Sequence, residues 1–195
     1  SLCSYLGINN SITMDMGGTS CDISLVEGAS PVVSREIEVD WDMPVPIPMV
    51  DIDAIGAGGG SLAWGDSQGI LKVGPESAGA DPGPVFYGRG NKQPTVSDAN
   101  LVLGYLNPNR LLSGRLKINE KDVYLSTREI GKKLGIDDVK EVAKGIITIA
   151  NQNMANAISE NLIKRGRDPR DFVLVTFGGG EPLHVVNIAK KLSIP

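Results

Sequence analysis

The chain has 195 residues and a net charge of −4, and this acidic balance argues against nucleic acid or an anionic membrane surface as its main partner. Its two cysteines, Cys3 and Cys21, provide neither a disulfide framework nor a metal-ligand spacing. No apolar run reaches membrane-spanning length and no signal peptide opens the chain, so the sequence predicts a soluble, cytoplasmic protein.

The first predicted element is a β-hairpin over residues 14–26. Its turn consists of small residues and lies between two carboxylates, in the order Asp15, Gly17, Gly18, Thr19, Ser20 and Asp22. Glycines let backbone amides approach an anion closely, hydroxyls add hydrogen-bond donors, and carboxylates hold a hydrated cation. The pattern is typical of a phosphate-binding hairpin, and an ordinary Gly-Gly turn between two strands is the alternative.

A third strand is predicted over residues 31–39, because apolar and polar residues alternate in its second half. It completes a β-meander over residues 1–40. Residues 41–95 form an insert that is dense in glycine and proline and contains short strand-like pieces such as 69–73. A long stretch with little regular structure is unusual in a compact domain, so we expect this insert to serve a site or an interface.

Two carboxylates and a second glycine loop lie in this insert. Residues 49–53 are strand-like and place Asp51 and Asp53 on one face, where they either ligate a cation, meet a substrate or form a solvated strand face. The loop that follows is a second candidate ligand loop, and it contains Gly56, Gly58, Gly59, Gly60 and Ser61.

Residues 96–195 are predicted to be mainly helical. Apolar spacing and terminating residues indicate three helices, namely 99–106 after the cap Ser97-Asp98, 120–134 before Gly135, and 138–165 before Gly166. The apolar stripe of the third helix is a core face, and Arg165, Arg167 and Asp168 are expected to form its solvated polar end. Asp98 is either a turn acid beside the cap or a catalytic carboxylate.

The last predicted elements are a strand, a glycine turn and a helix. Residues 172–177 are continuously apolar, which predicts a buried strand, and a helix is expected over residues 183–192. The turn between them contains Gly178, Gly179 and Gly180. This order offers backbone amides and a helix N-terminus to a nucleotide, and a plain strand-to-helix turn has the same pattern. His184, the only histidine, is either a general base or a structural residue.

Six motifs together resemble the hydantoinase A / 5-oxoprolinase family. They lie at residues 15–22, 55–61, 73–84, 94–104, 168–170 and 177–184. The resemblance implies an α/β fold of the actin-like ATPase (ribonuclease H-like) class, in which two lobes close over a nucleotide. It implies that residues 1–195 are the second lobe, with a mixed sheet, helices and a Gly/Pro-rich β insert. The first lobe is expected to be absent, so the chain is expected to be a fragment of a longer subunit and inactive alone.

The resemblance also implies roles for individual residues. Asp15 is implied to bind a metal ion or orient a water, and Asp22 is either a further catalytic acid or a turn cap. The nucleotide is implied to contact both glycine turns, at Gly17, Gly18, Thr19, Ser20, Gly178, Gly179 and Gly180. Two residues depart from the family pattern: Cys21 replaces a usual threonine, and Glu181 places a carboxylate where a small residue is usual. Cys21 is expected to be a small, partly buried side chain.

The activity implied is that of an ATP-dependent cyclic amidohydrolase. It phosphorylates a lactam or hydantoin carbonyl before ring opening, and it uses ATP and Mg²⁺. The implied partners are a small cyclic amide, the first lobe of the same subunit and a subunit of the hydantoinase B type, without nucleic acid or membrane. The alternatives are an ATP-dependent carboxylase subunit of the acetone carboxylase type and a non-enzymatic, actin-like module that responds to nucleotide.

Overall fold

The computed structural model of the protein describes residues 2–34, 37–39, 43–45, 47–109 and 118–195. Within them the strands are β1 (Ser11–Met16), β2 (Cys21–Glu27), β3 (Ser30–Pro31), β4 (Val33–Ser34), β5 (Ile37–Val39), β6 (Met43–Val45), β7 (Met49–Val50), β8 (Ile52–Ile55), β9 (Ser61–Gly65), β10 (Leu71–Ser77) and β11 (Val173–Phe177). The α-helices are α1 (Leu2–Tyr5), α2 (Val96–Val102), α3 (Glu120–Leu134), α4 (Val139–Lys164) and α5 (Val185–Leu192). Short 3-10 turns lie at Val85–Tyr87, Pro169–Asp171 and Glu181–Leu183.

The centre of the fold is a mixed sheet in which β1 lies between β2 and β11. β2 is antiparallel to β1 and follows it through the glycine turn, whereas β11 is parallel to β1 and far from it in sequence. β2 also pairs with β8 and with β3. Parallel neighbours need a long connection, and the insert and helices α2 to α4 supply it here. The mixed sheet with helices that the sequence predicts is confirmed.

One hydrophobic cluster joins this sheet to the long helix α4. Because side chains alternate along a strand, Ile12, Met14 and Met16 share one face of β1, and all three are buried. The same cluster contains the apolar stripe of α4, with Val142, Ile146, Ala150, Met154, Ile158 and Leu162 buried. Since α4 also contacts α2, α3, α5 and β10, it is the element around which the other helices and the insert pack.

Local signals determined the two longest helices. The helices predicted over 120–134 and 138–165 are confirmed as α3 and α4. The predicted terminator Gly166 has a left-handed backbone with φ of 63°, and its amide donates to the carbonyl oxygen of Ile163 at 2.9 Å. This is the common way for a helix to satisfy its last carbonyl groups.

The insert packs its glycine loop directly against the hairpin turn. The amide of Gly59 donates to the carbonyl oxygen of Gly17 at 3.0 Å, and that of Gly60 donates to Gly18 at 2.6 Å. A side chain at Gly58 would lie 2.8 Å from the carbonyl oxygen of Gly18. The two backbones therefore approach so closely that the loop requires glycine. Behind the loop, β9 and β10 form an antiparallel hairpin.

Three predictions about secondary structure are wrong. The strand predicted over 31–39 is divided into short pieces that pair with different strands, β3 with β2, β4 with β7 and β5 with β6. The strand predicted to be buried, β11, is instead partly exposed, and Phe177 at its end is 50% exposed. Among the described strands, β11 pairs with β1 alone. The cap of α2 is Thr95 rather than Ser97-Asp98, and the helix ends at Val102 instead of reaching residue 106.

The charges at the end of α4 are paired, not merely solvated. Arg165 forms an ion pair with Asp51, and Asn161 donates a hydrogen bond to Asp53. The two aspartates thus fasten the start of β8 to α4, which the solvated-face interpretation did not anticipate. Arg167 forms a two-pronged ion pair with Glu27 of β2. Arg167 is nevertheless exposed, as is the pair of Asp168 with Arg170, so the predicted polar end is solvated except at the half-buried Arg165.

None of the helices in the described residues is long and apolar enough to cross a membrane.

Replacing Gly58 with alanine is expected to destabilise the fold by about 2 kcal/mol, because the new Cβ atom forces the hairpin backbone and the insert loop apart. Chemical denaturation measures this loss. The matched control is Gly18→Ala on the other side of the same contact, where an added Cβ meets no atom within 4 Å. Equal stability of the two variants would contradict the interpretation.

Candidate functional site

A cleft of about 260 Å³ lies where the two predicted glycine turns meet. Five glycines line it, namely Gly17 and Gly18 of the hairpin, Gly59 of the insert, and Gly179 and Gly180 of the last turn. Its apolar lining is Met16, Phe86, Tyr87, Leu106 and Leu183, and its polar lining is Ser97, Asn100 and His184. A larger cavity of about 420 Å³, between β9, α3 and residues 91–94, contains none of the predicted site residues. The cleft is therefore the better candidate.

Gly178 brings the last turn against the end of β1. Its backbone is left-handed, with φ of 95°, and a side chain there would collide with the carboxylate of Asp15. A Cβ atom at Gly178 would also lie 3.0 Å from the carbonyl oxygen of Met16. Both the conformation and the space thus require glycine at this position. Gly178 itself does not line the cleft.

Asp15 and Asp22 face each other directly across the hairpin. They are register partners on β1 and β2, so their side chains lie on the same face of the sheet. Asp15 is half-buried and Asp22 is exposed, and neither lines the cleft. No group of three or more histidine, cysteine or acidic side chains suited to a metal ion occurs among the described residues. One or two carboxylates together with phosphate oxygens are nevertheless a donor set that suits Mg²⁺.

The remaining turn residues shape the hairpin. The amide of Gly17 donates to the carbonyl oxygen of Ser20 at 2.9 Å and closes the turn. Gly18 and Thr19 are exposed at its tip, and Ser20 is half-buried. Thr19 and Ser20 lie outside the cleft lining.

The insert loop is mostly a support for the hairpin. Gly58, Gly60 and Ser61 are buried behind the turn, and Gly59 alone of the predicted loop residues reaches the cleft. The hydroxyl of Ser61 accepts a hydrogen bond from the amide of Gly58 at 3.0 Å and donates to the carbonyl oxygen of Gly56 at 3.4 Å. These bonds hold the loop in the shape that the backbone contact needs.

Glu181 and Cys21, the two residues that the sequence resemblance marked as unusual, contact each other. The thiol of Cys21 lies 3.9 Å from Oε2 of Glu181, and both residues are buried. Burial raises the pKa of Glu181 to about 7, and burial together with the Glu181 charge raises the pKa of Cys21 to about 12. The thiol is therefore unreactive, as expected for a small buried side chain. Glu181 does not line the cleft, and its buried carboxyl lies against Cys21 of β2 instead.

His184 is buried and bonded on both sides of its ring. Nδ1 lies 2.6 Å from Oδ1 of Asn151, and Nε2 lies 3.2 Å from Nδ2 of Asn100. Burial lowers the pKa of His184 to about 4, so the ring is neutral near neutral pH. This geometry favours the structural role over that of a general base. The sequence analysis did not select Asn100 as a site residue. The signal for it was present, because Asn100 is a polar residue within the otherwise apolar run 99–103.

Asp98 has a structural role. It is fully buried at the third position of α2, and Thr95 and Asp98 form a capping box. Its carboxylate also accepts hydrogen bonds from the amides of Val85 and Phe86, each at 3.0 Å. The pKa of this carboxyl is nevertheless raised, because burial outweighs the hydrogen bonds. The carboxylate thus anchors the segment that forms the apolar side of the cleft.

Comparisons with known proteins point to one family. The model of the family described as Hydantoinase/oxoprolinase matches residues 1–195. The caprolactamase alpha subunit of Pseudomonas jessenii is 46% identical over 187 residues, 95% of this chain and 27% of that protein. The acetophenone carboxylase gamma subunit of Aromatoleum aromaticum is 41% identical over 192 residues, 94% of this chain and 25% of that protein.

The fold likeness is equally clear. The crystal structure of ATP-dependent caprolactamase from Pseudomonas jessenii has a TM-score of 0.86 and 44% identity to this chain, and the match covers 98% of this chain and 28% of that one. This confirms the fold that the sequence resemblance implied. The chain spans about a quarter of the length of the curated relatives it matches.

Replacing Glu181 with glutamine is expected to remove a pH dependence of stability. The pKa of this carboxyl is about 7 in the folded state against an ordinary value of 4.5, so the folded state binds the proton more tightly. The protonated Glu181 carboxyl contributes fully to stability below pH 4.5, and this contribution is lost as the pH rises to 7. The free energy of unfolding therefore falls by about 3 kcal/mol over this range.

Denaturant titrations between pH 4.5 and 7 measure this difference. His184 has the opposite dependence, since its lowered pKa costs stability as the pH falls from 6.5 to 4, but it is present in both proteins and cancels. The control is Glu76→Gln, at an exposed carboxylate on β10. Parallel curves for wild type and Glu181→Gln would show that Glu181 is not a protonated buried acid.

Proposed function

The chain belongs to the hydantoinase/oxoprolinase family, and from that premise we propose that it forms the nucleotide-binding lobe of an ATP-dependent enzyme that opens cyclic amides. A relative with 44% identity is an ATP-dependent caprolactamase, and its substrate class is transferred here by that similarity. The observation that carries the proposal is the meeting of two glycine turns at the ends of β1 and β11, beside Asp15.

This arrangement supports binding of a nucleotide across the turns. Ligands of α/β proteins bind beyond the carboxyl ends of parallel strands, and β1 and β11 end together here. The amides of Gly18 and Thr19 and the hydroxyls of Thr19 and Ser20 hold phosphate, in a turn that the amide of Gly17 closes. The cleft beyond Gly179 and Gly180 receives the adenosine, because side chains that would fill this space are absent and its other walls are partly apolar.

The two carboxylates of the hairpin complete the site. Asp15 binds Mg²⁺ or orients a water, and Asp22 adds a second oxygen ligand or a further acid on the same face of the sheet. Bound ATP supplies the phosphoryl group that activates the amide oxygen. Phosphoryl transfer depends chiefly on positioning and on charge stabilisation, which are the properties that rigid glycine turns and an adjacent metal ligand provide.

We also propose which lobes and subunits make up the complete enzyme and in which compartment it works. Residues 1–40, 41–95 and 96–195 form the second lobe, and the first lobe of the same subunit closes over the nucleotide. The relatives are named as subunits, which supports a partner subunit, here of the hydantoinase B type. The two free, buried cysteines support a reducing compartment, the cytoplasm.

An ATP-dependent carboxylase is the second candidate function. The 41% identity to an acetophenone carboxylase subunit favours it, because the same nucleotide site serves activation of a ketone or carboxylate. The non-enzymatic alternative has less support, since Glu181, the residue that favoured it, is buried and does not line the cleft.

The test is ATP hydrolysis by the complete polypeptide that carries residues 1–195, assayed together with its partner subunit. Caprolactam, 5-oxoproline and hydantoin are expected to stimulate turnover, whereas acetophenone with bicarbonate tests the carboxylase. Asp15→Ala is expected to lower stimulated turnover on the order of 100-fold. The reason is that Mg²⁺, which neutralises the charge at the reacting phosphate, loses a carboxylate ligand.

The control for this experiment is Asp137→Ala, at an exposed aspartate in the loop before α4. It is expected to keep wild-type turnover. Failure of every cyclic amide to stimulate hydrolysis would overturn the proposed reaction, and equal turnover of the Asp15 and Asp137 variants would remove Asp15 from the site.

A further inference from the structure

Asn100 on α2 has a buried side-chain oxygen without a hydrogen-bond partner in the part of the chain that the structure describes. The residue is 3% exposed and lines the cleft, and Oδ1 is the unpartnered atom. A buried acceptor without a partner is costly, and such atoms are rare in folded proteins. A ligand that donates a hydrogen bond to this oxygen therefore gains more binding free energy than an ordinary hydrogen bond provides, because it also removes the cost of the unpaired acceptor.

His184 determines which end of the Asn100 amide is left over. Oδ1 of Asn151 accepts a hydrogen bond from Nδ1 of His184, which places the ring proton on that nitrogen. Nε2 is then an acceptor, and it takes a hydrogen bond from Nδ2 of Asn100 at 3.2 Å. The amide of Asn100 is thereby oriented with its oxygen unused. Helices α4 and α2 and the turn before α5 each contribute one member of this chain of hydrogen bonds.

From this geometry we infer that Asn100 selects adenine-type bases, an inference that rests on the proposed nucleotide function. Oδ1 accepts a hydrogen bond from the exocyclic amino group of the base. A purine with a carbonyl oxygen at that position brings two acceptors together and leaves both unpaired. The apolar Phe86, Leu106 and Leu183 suit a flat ring, and Gly179 and Gly180 leave room for it.

The contact forms by a small local adjustment. Oδ1 exposes no surface to solvent in this structure, so the donor of the base reaches it only when the cleft lining shifts as the ring is seated. Asn100 is the selecting residue in this scheme, whereas His184 and Asn151 are positioning residues that act through it.

The experiment compares binding of Mg·ATP and Mg·ITP to the complete polypeptide by calorimetry. ITP differs from ATP in the base, where a carbonyl group replaces the amino group. Wild type is expected to bind ATP roughly ten-fold or more tightly than ITP. The reason is that Oδ1 of Asn100 accepts a hydrogen bond from the amino group of ATP but faces a second acceptor, the carbonyl oxygen of the base, in ITP. Asn100→Leu is expected to bring the ratio close to one, chiefly by weakening ATP, and Asn100→Ser provides a smaller replacement with the same expected loss if the leucine variant does not fold.

The positioning residues are tested by a conservative pair. Asn151→Asp keeps an acceptor at Nδ1 of His184 and is expected to retain the ATP preference, whereas Asn151→Leu is expected to lose it. Asn156→Leu, at an exposed asparagine of α4, is the matched control and is expected to retain the wild-type ratio.

The outcomes separate this inference from the function on which it rests. Binding of ATP without discrimination against ITP, or an unchanged ratio in the Asn100 variants, overturns the inference and leaves the nucleotide site intact. Absence of binding by either nucleotide overturns both.

Discussion

The candidate site depends on main-chain contacts between three segments that are far apart in sequence. The insert loop donates two amides to the hairpin turn at Gly17 and Gly18, and Gly178 lies against the backbone of Met16 with no space for a side chain. Since the contacting atoms belong to the backbone, the spacing is set by glycine alone and cannot be restored by repacking side chains. The hairpin, the insert and the last turn therefore hold one another in place.

A layer of buried polar groups supports these contacts from behind. Asp98 satisfies its burial with hydrogen bonds to the amides of Val85 and Phe86, and His184 is bonded on both ring nitrogens. Glu181 differs from both, because its Oε1 has no hydrogen-bond partner among the described residues and burial raises its pKa to about 7. Buried polar groups are costly unless paired or neutral, and burial shifts the pKa of each of these three groups towards its neutral form.

Predictions succeeded where the determining signal is local. The helices α3 and α4 follow from apolar periodicity and from terminating glycines, and the first hairpin follows from a glycine turn between alternating residues. The third strand was wrong because strand pairing is not local: β3 and β4 are separated by one residue and pair with different strands. The roles of Asp51 and Asp53 stayed open for the same reason, since their partners Arg165 and Asn161 lie more than a hundred residues away in the chain.

The sequence by itself determined the family, the positions of the glycines that a close backbone approach requires, and the helices that carry the core. Only the tertiary structure decided which glycines line the cleft, that Glu181 does not line it, and that Asn100 lies on its wall. The physical reason is that burial and hydrogen-bond pairing are properties of neighbours in space. A residue's own neighbours in sequence therefore say little about whether its polar atoms face a ligand, a partner or the core.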